Sequence, residues 1–524
     1  VFGPFGEKGL TNSRFSFRVK YLYGDHDLDD ELTVPDFEAL IKPSIETAIQ
    51  VAEAALVKAK LDASDLTAIL LAGGTSQIPL VKDMLQGRFD LVPQIIPNDL
   101  MWLIARGAAI YHRDLMTRPG EASKQILGAD LYLQTYGQGR LTDTLLVPSH
   151  QTLPYEFIND FVVNPLNGTL VIQLLTETGS REQSKVLLEK RLVNVEGLGL
   201  SKISVKVSID RNKSIKLGVL NPKTGLPLAN VEIKGELLST SEELIAARKQ
   251  YGFKELFSAP SSGRQNHAIG IDLGTTTCEV IVWGLQKQEF WKGIAEPQIS
   301  QVLIRDSGVV SVDNGEYGST THGYFSNFKV DIGTKFDASK YTANNQLWPP
   351  EILSAHLLAT IWKQVRDQLG ESAHVSEAVI TVPSDFSEDQ VALVQNAAKI
   401  AGITTPILLP EPVAAFLAYA DRYAPLSDPG QRFLIFDFGG GTTDVCVVET
   451  GQQDAINILS TSGNNAVGGK DLTNKISDSI ISRFVVLNKL KPTKIELEKL
   501  RRRLFPKAEL AKVELSKALI MGEV

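Results

Sequence analysis

The chain has 524 residues, with 53 Lys and Arg against 61 Asp and Glu for a formal charge of -8, and it is 43% hydrophobic and 22% charged. At roughly 100–200 residues per domain this length predicts two to four domains with ample buried core, and so ordinary a composition excludes a disordered, collagen-like or coiled-coil chain. The acidic balance and the scatter of Lys and Arg, with no long basic stripe, argue against a nucleic-acid reader.

Cys278 and Cys446 are too few for a disulfide framework or a four-cysteine zinc site. No run of eighteen or more uncharged apolar residues occurs, and Val1 to Lys8 holds no basic leader ahead of an apolar core. A reducing, cytoplasmic setting without a membrane is the expectation. The first residue is Val, so the start of the sequence need not be the start of translation.

In chain order, Ile41, Ile45, Ile49, Ala52 and Leu56 recur at helical spacing between Pro35 and Lys60, until Asp62-Ala63-Ser64-Asp65 breaks the pattern. Ala68 to Ala72 reads as a buried strand running into Gly73-Gly74-Thr75-Ser76 and a helix beginning near Pro79, which is α/β chemistry. Between Gly128 and Gly235 the character changes to short alternating runs such as Ile203, Val205, Val207 and Ile209, separated by turn clusters at Asp210-Arg211-Asn212 and Asn221 to Gly225. That block reads as an all-β module. Thr240-Ser241-Glu242-Glu243 offers a capping box to a short helix, and Ser258 to Gly263 reads as a linker. From Ala268 the α/β character returns and closes with a long charged helix around Ile495 to Leu519.

One element is repeated. Asp272-Leu273-Gly274-Thr275-Thr276-Thr277 and Asp437-Phe438-Gly439-Gly440-Gly441-Thr442 each follow one apolar strand and precede another. Each reads as a β-hairpin with a Gly/Thr turn and an Asp at the end of the incoming strand. Glycines let backbone N–H groups surround an anion and threonine hydroxyls add donors, whereas the carboxylate suits a metal. The inference is a nucleoside triphosphate gripped from two sides, with Mg²⁺ near Asp272 and Asp437. Ordinary hairpin turns are the plainer reading of one such loop. Two copies in the same setting, the second followed by Asp444, favour the phosphate grip. No G-x-x-x-x-G-K-[ST] run occurs, which argues against a P-loop enzyme. Gly73-Gly74-Thr75 is a third glycine loop at a strand end. Glu509, Lys512 and Ser516, spaced by three and four, share one helix face, for which a solvated charged surface is the default.

The two hairpin loops, Leu408-Leu409-Pro410-Glu411-Pro412-Val413-Ala414-Ala415 and the Gly73 loop together resemble the actin, sugar-kinase and heat-shock ATPase superfamily. Within it the chain is most similar to the seventy-kilodalton heat-shock chaperones of the DnaK type. Gly468-Gly469-Lys470-Asp471, the Glu509/Lys512/Ser516 helix, and Pro97-Asn98-Asp99 leading to Gly107-Ala108-Ala109 carry the narrower match. Leu170 to Gln173 and Val207 to Asn212 resemble the family's substrate-binding β-sandwich. The resemblance implies an α/β, two-lobed, actin-like (ribonuclease H-like) ATPase domain that is discontinuous in sequence, plus an all-β substrate-binding sandwich.

The order of segments differs from the family's: this chain starts late in the ATPase domain and ends in its middle, and Val524 would join naturally to Val1. The expectation is a circular permutation. Residues 1–118 form the C-terminal part of the ATPase domain, 119–127 an interdomain linker, 128–235 the β-sandwich, 236–265 a short helix and linker, and 266–524 the N-terminal part of the ATPase domain.

By the resemblance, Asp272 and Asp437 order waters on Mg²⁺. Gly274, Thr275 and Thr276 face the β- and γ-phosphates from one side, and Gly439, Gly440, Gly441 and Thr442 from the other. Glu411 and Asp444 help to position the attacking water, Pro412 sits where the family has a switch proline, and Lys329 reaches the γ-phosphate, with a surface lysine as the competing view. Adenine lies between Gly73-Gly74-Thr75 and the Glu509/Lys512/Ser516 face. Several positions depart from the pattern. Gln77 and Val513 replace arginines that sandwich adenine, Ile407 replaces an Arg that helps recruit a J-domain co-chaperone, and polar Gly120 to Gln125 replaces an apolar linker. The family's helical lid is missing, with only a short helix at Glu242 to Tyr251 after the β block. The register from Leu131 to Pro154 is ambiguous, so no client-contact residue is assigned.

The implied function is an ATP-dependent chaperone that hydrolyses ATP to ADP with Mg²⁺ and grips extended peptide segments. A J-domain co-chaperone and a nucleotide exchange factor are the further implied partners, with neither nucleic acid nor membrane. The alternative is a regulatory nucleotide-binding protein of the same fold with weak or no turnover. A small-molecule kinase is a third reading, which lacks an acceptor-binding lobe.

Overall fold

The computed structural model describes residues 14–118, 131–137, 140–147, 154–163, 169–177, 185–194, 201–209, 215–233, 241–253, 265–284, 289–292, 298–305, 310–312, 323–370, 375–423, 428–451 and 456–521. The linkers at 120–125 and 258–263, the turn at 210–212 and both chain ends lie outside the described residues.

The helical spacing after Pro35 becomes the helix Val34–Ala59, with Ile41, Ile45, Ile49, Ala52 and Leu56 all buried. The Thr33 hydroxyl caps its start by accepting from the Asp36 N–H, and Lys60 ends it in the left-handed region at φ 57°.

Two large sheets share one plan. The first runs Glu289–Lys292, Thr277–Gly284, His267–Leu273, Glu377–Val382, Thr405–Pro410, with Gln298–Ile299 also paired to Thr277–Gly284. The second runs Ile456–Asn464, Thr443–Thr450, Arg432–Phe438, Ala68–Ala72, Gln94–Ile95. In each, an antiparallel hairpin is extended on the side of its first strand by two parallel strands. Parallel neighbours need a crossover, and the helices Glu388–Ile400 and Pro79–Arg88 occupy those two connections. The unbroken apolar run Ala68–Ala72, buried at every residue, belongs to such an interior parallel strand.

Segments distant in sequence complete these units. Ala68–Ala72 lies directly beside Arg432–Phe438. The hairpin Arg14–Tyr23/His26–Thr33 packs on the helix Lys494–Met521, where Arg503 Nη1 donates to the carbonyls of Tyr21 at 2.8 Å and Leu22 at 2.6 Å, and the Tyr23 hydroxyl donates to Glu496 at 3.0 Å. The helix Leu100–Thr117 wedges between the first sheet and the helix Glu411–Tyr423. It approaches so closely that a Cβ on Gly107 would lie 1.7 Å from the Ala414 carbonyl oxygen, and one on Gly270 would lie 2.3 Å from that of Ala105. Buried His112 fastens the same helix to the sheet, its Nδ1 accepting from the Ile269 N–H at 3.0 Å.

The block from 131 to 233 contains two four-stranded antiparallel sheets, in the orders Arg140–Val147, Leu131–Gly137, Thr169–Glu177, Lys185–Asn194 and Pro227–Ile233, Ile215–Leu220, Lys202–Ile209, Tyr155–Val162. Side chains of both sheets, among them Leu133, Leu174, Val205, Val207 and Leu217, meet in one apolar cluster. Within the described part of the segment from Leu131 to Pro154, Leu133 stands opposite Thr144 and Tyr136 opposite Leu141. After this block, the helix Ser241–Gln250 leads into Tyr251 and Phe253, whose rings pack on Trp348 at 5.4 Å and on His356 at 4.0 Å. The short helix expected after the β block is therefore seated, with the residues that follow it, on the core beneath the first sheet.

The same substitution at two helical glycines tests this packing. Gly87→Ala, with open space around the added methyl, is expected to stabilise by up to about 1 kcal/mol through helix propensity. Gly107→Ala, forced against the Ala414 carbonyl, is expected to destabilise by about 1–3 kcal/mol. Urea unfolding followed by circular dichroism reads both signs.

Candidate phosphate and cation site

The repeated motif is a pair of hairpins with identical registers. In the first, Asp272 stands opposite Glu279 across the turn Gly274-Thr275-Thr276; in the second, Asp437 stands opposite Asp444 across the turn from Gly439 to Thr442. The two turns meet. A Cβ on Gly440 would fall 2.4 Å from Thr276 Oγ1, and one on Gly441 would fall 2.5 Å from Thr275 Cγ2, so only glycine lets these backbones face each other at this separation. The first turn is braced from outside, Ser300 Oγ donating to the Gly274 carbonyl at 2.7 Å, and the second from within, the Gly439 N–H donating to the Thr442 carbonyl at 3.0 Å.

Behind the turns lies a buried cluster of carboxyls around one ammonium. Lys329, carried on the short turn Phe328–Asp331, is 3% exposed and donates to Glu411, the first residue of its helix. This excludes the surface-lysine view. Asp272 Oδ1 accepts from the Thr381 hydroxyl at 2.8 Å, and Asp444 Oδ1 accepts from the Ser384 N–H at 3.0 Å and its hydroxyl at 3.2 Å.

Burial, followed by the charge of Glu411, pushes Asp272 up to about 7 and Asp444 up to about 8, and drives Asp437 well above the ordinary carboxyl range. Burial and then Asp272 push Glu279 up to about 8. Burial works to lower Lys329, but Glu411 and Asp272 outweigh it and raise the ammonium. Carboxyls so placed resist ionising because too little positive charge faces them.

The third glycine loop and the charged helix close on the second turn. Gly73, at φ +75°, lies so near Asp437 that a Cβ would sit 2.4 Å from Oδ1. Thr75 Oγ1 donates to the Gly439 carbonyl at 2.8 Å, and the N–H groups of Gly469 and Lys470 donate to the carbonyls of Gly439 at 3.0 Å and Gly440 at 2.8 Å. Lys512 Nζ donates to the Gly469 carbonyl at 2.9 Å and to Glu509 at 2.8 Å, and the Ser516 hydroxyl donates to the Lys512 carbonyl at 2.7 Å. Lys512 and Ser516 are buried, so this face is not the solvated one that spacing alone suggests. Gly74 and Gln77 stand exposed at the edge of the loop.

The site residues singled out in the sequence thus gather around the two facing turns. Sequence reasoning missed Thr381 and Ser384, which only the parallel strand beside the hairpin brings to the site. It also missed Asp385, against whose carboxyl Gly463 packs, and Glu279. Glu279 left a legible signal: in both repeats six residues separate the first carboxylate from the second.

The donors suit a hydrated divalent cation. Asp437 Oδ1 and Asp444 Oδ2 are buried oxygens without a hydrogen-bond partner. Among the described residues no three His, Cys, Asp or Glu side chains are grouped to hold a metal directly. A hard, oxygen-preferring cation such as Mg²⁺ suits the two unpartnered oxygens.

Residues 9–235 and 324–521, well over half of the chain, match the family described as Hsp70 protein. The chain is 38% identical over 269 residues to the chaperone protein DnaK of Endomicrobium trichonymphae, covering 48% of this chain and 40% of that protein. It is 37% identical over 226 residues to the chaperone protein DnaK of Elusimicrobium minutum (strain Pei191), covering 43% and 32%. The chain therefore spans less than half the length of these curated relatives.

A carboxyl whose pKa is raised on folding stabilises the fold below its unfolded value and loses that contribution as pH rises through its folded value. For Asp272 the window runs from 3.8 to about 7, for Asp444 from 3.8 to about 8, and for Glu279 from 4.5 to about 8. The melting temperature of protein stripped with EDTA is expected to fall as pH rises through this window. Added Mg²⁺ with ADP is expected to flatten the slope. Scanning fluorimetry across the pH range reads both.

Proposed function

The chain belongs to the Hsp70 family, and from that premise we propose that it is an ATP-hydrolysing chaperone of the DnaK type, using Mg²⁺ and coupling hydrolysis to the binding of extended peptide segments. The observation that carries the reading is the meeting of the two hairpin turns over one buried cluster of Asp272, Glu411, Asp437, Asp444 and Lys329.

Residues 266–524 and 1–118 would together make the actin-like, two-lobed ATPase domain, with 128–235 as the β-sandwich and 119–127 and 236–265 as connections. Two observations support this permuted order: Ala68–Ala72 completes the sheet of Arg432–Phe438, and Arg14–Tyr23 packs on the helix Lys494–Met521.

In the proposed site the turns Gly274 to Thr276 and Gly439 to Thr442 would face the phosphates, the N–H of Gly439 itself being held by the Thr442 carbonyl. Asp272 and Asp437 orient the cation's waters. When bound, the cation neutralises the polyphosphate charge. Lys329 brings positive charge toward the terminal phosphate, and its bond to Glu411 fixes both side chains before any ligand arrives. Glu411 and Asp444 hold acceptor oxygens where an attacking water would be oriented, and the Ser384 N–H and hydroxyl keep Asp444 in place. Positioning and charge stabilisation of this kind supply most of the acceleration in phosphoryl transfer, so no strong nucleophile is needed. Adenine would lie between Gly73-Gly74-Thr75 and the face of Glu509, Lys512 and Ser516.

Extended peptides would be held by strand-like hydrogen bonding in the β-sandwich. A J-domain co-chaperone and an exchange factor are the further proposed partners, with Ile407 and the polar residues 120–125 weighing against the first. Among the described residues no helix is long and apolar enough to cross a membrane. The second reading, a regulatory nucleotide-binding protein with little turnover, is favoured by one observation: Gln77 and Val513 stand at the two places where the family carries arginines over the base.

Steady-state phosphate release separates the readings. Asp437→Ala or Glu411→Ala is expected to lower kcat by about 100-fold or more with the fold retained, and unfolded peptide is expected to stimulate the unsubstituted protein. Hydrolysis unchanged in both variants defeats the assignment. Nucleotide binding without turnover in the unsubstituted protein favours the regulatory reading.

A further inference from the structure

The second hairpin holds its carboxylates as an opposed pair, Asp437 with Asp444, and the first hairpin does the same with Asp272 and Glu279. Residues directly opposed across an antiparallel ladder project from the same face with Cβ atoms about 5 Å apart, where like charges destabilise the sheet. Glu279 is 3% exposed, so water does not screen it. Lys329, the ammonium nearest this face, is bonded to Glu411. On the far hairpin, Asp437 Oδ1 and Asp444 Oδ2 are buried without partners. An opposed, buried acidic pair is thus present on both hairpins, and the two turns that join their strands face each other, an arrangement suited to a cation.

Resting on the polyphosphate reading above, we propose that Glu279 is a positioning carboxylate for the divalent cation, the first hairpin's counterpart of Asp444, so that two opposed carboxylate pairs, rather than two single aspartates, orient the cation's waters. The second carboxylate on the first hairpin raises cation affinity in the presence of nucleotide. Its cost is a less stable hairpin when the cation is absent.

The experiment uses Mn²⁺ as a paramagnetic stand-in for Mg²⁺, titrated with ADP into the full chain while free Mn²⁺ is read by electron paramagnetic resonance, alongside melting of the metal-free protein. Glu279→Gln is expected to weaken Mn²⁺ binding by about 10-fold or more and to raise the metal-free melting temperature. Glu279→Asp, which keeps the charge, is expected to restore most of the affinity. Equal Mn²⁺ affinity in Glu279→Gln and the unsubstituted protein overturns the role of Glu279 alone. The same follows if the Asp and Gln variants lose affinity alike, because charge at 279 is then not what holds the cation. Failure of the unsubstituted protein to take up Mn²⁺ with ADP overturns the polyphosphate reading, and this inference with it.

Discussion

The ion pair between Lys329 and Glu411 is the point on which the site turns. Asp272, Glu279, Asp437 and Asp444 are buried around it, and their raised pKa values follow from that burial first, then from the charge of Glu411 on the three aspartates and of Asp272 on Glu279. An ammonium already committed to Glu411 cannot neutralise the rest, so the site is short of positive charge. The folded chain tolerates this because sheets of almost wholly buried strands hold the carboxyls where they are; in the proposed site a bound cation would relieve it. On that proposal, binding and folding would be linked at the same atoms.

That arrangement depends on pieces from opposite ends of the chain. Asp437 ends a strand whose parallel neighbour, Ala68–Ala72, delivers Gly73 against the Asp437 carboxylate. Asp272 ends the corresponding strand of the other sheet, and the helix Leu100–Thr117 presses on that strand through Gly270 and His112. A two-fold plan, hairpin plus two parallel strands, thus presents two similar turns to each other. The glycines at 440 and 441 are needed for contact with Thr275 and Thr276, not for a turn in isolation.

The segment after the β block adds a physical connection that its sequence did not suggest. Tyr251 and Phe253 join Trp348 and His356 in a ring cluster on the core that also buries Phe328, the neighbour of Lys329. The helix Ser241–Gln250 and the two aromatic residues after it are thereby packed on the body that carries the lysine.

Local pattern was enough for much of this. The period of Ile41 to Leu56, the apolar run Ala68–Ala72, the alternation of Ile203 to Ile209 and the twin Asp-Gly-Thr turns are properties of neighbouring residues, so they were legible without a fold. The hairpin Arg14–Tyr23/His26–Thr33 was not: its strands carry many charged residues and take their support from Arg503 and Glu496, far along the chain. The burial of Lys329, Lys512 and Ser516, the support of Asp272 by Thr381 and of Asp444 by Ser384, and the opposition of Glu279 to Asp272 were decided by tertiary structure. Side-chain chemistry and spacing along the chain name the groups, but strand register and close helix–sheet contact determine which charges share one low-dielectric space and how strongly they act on each other.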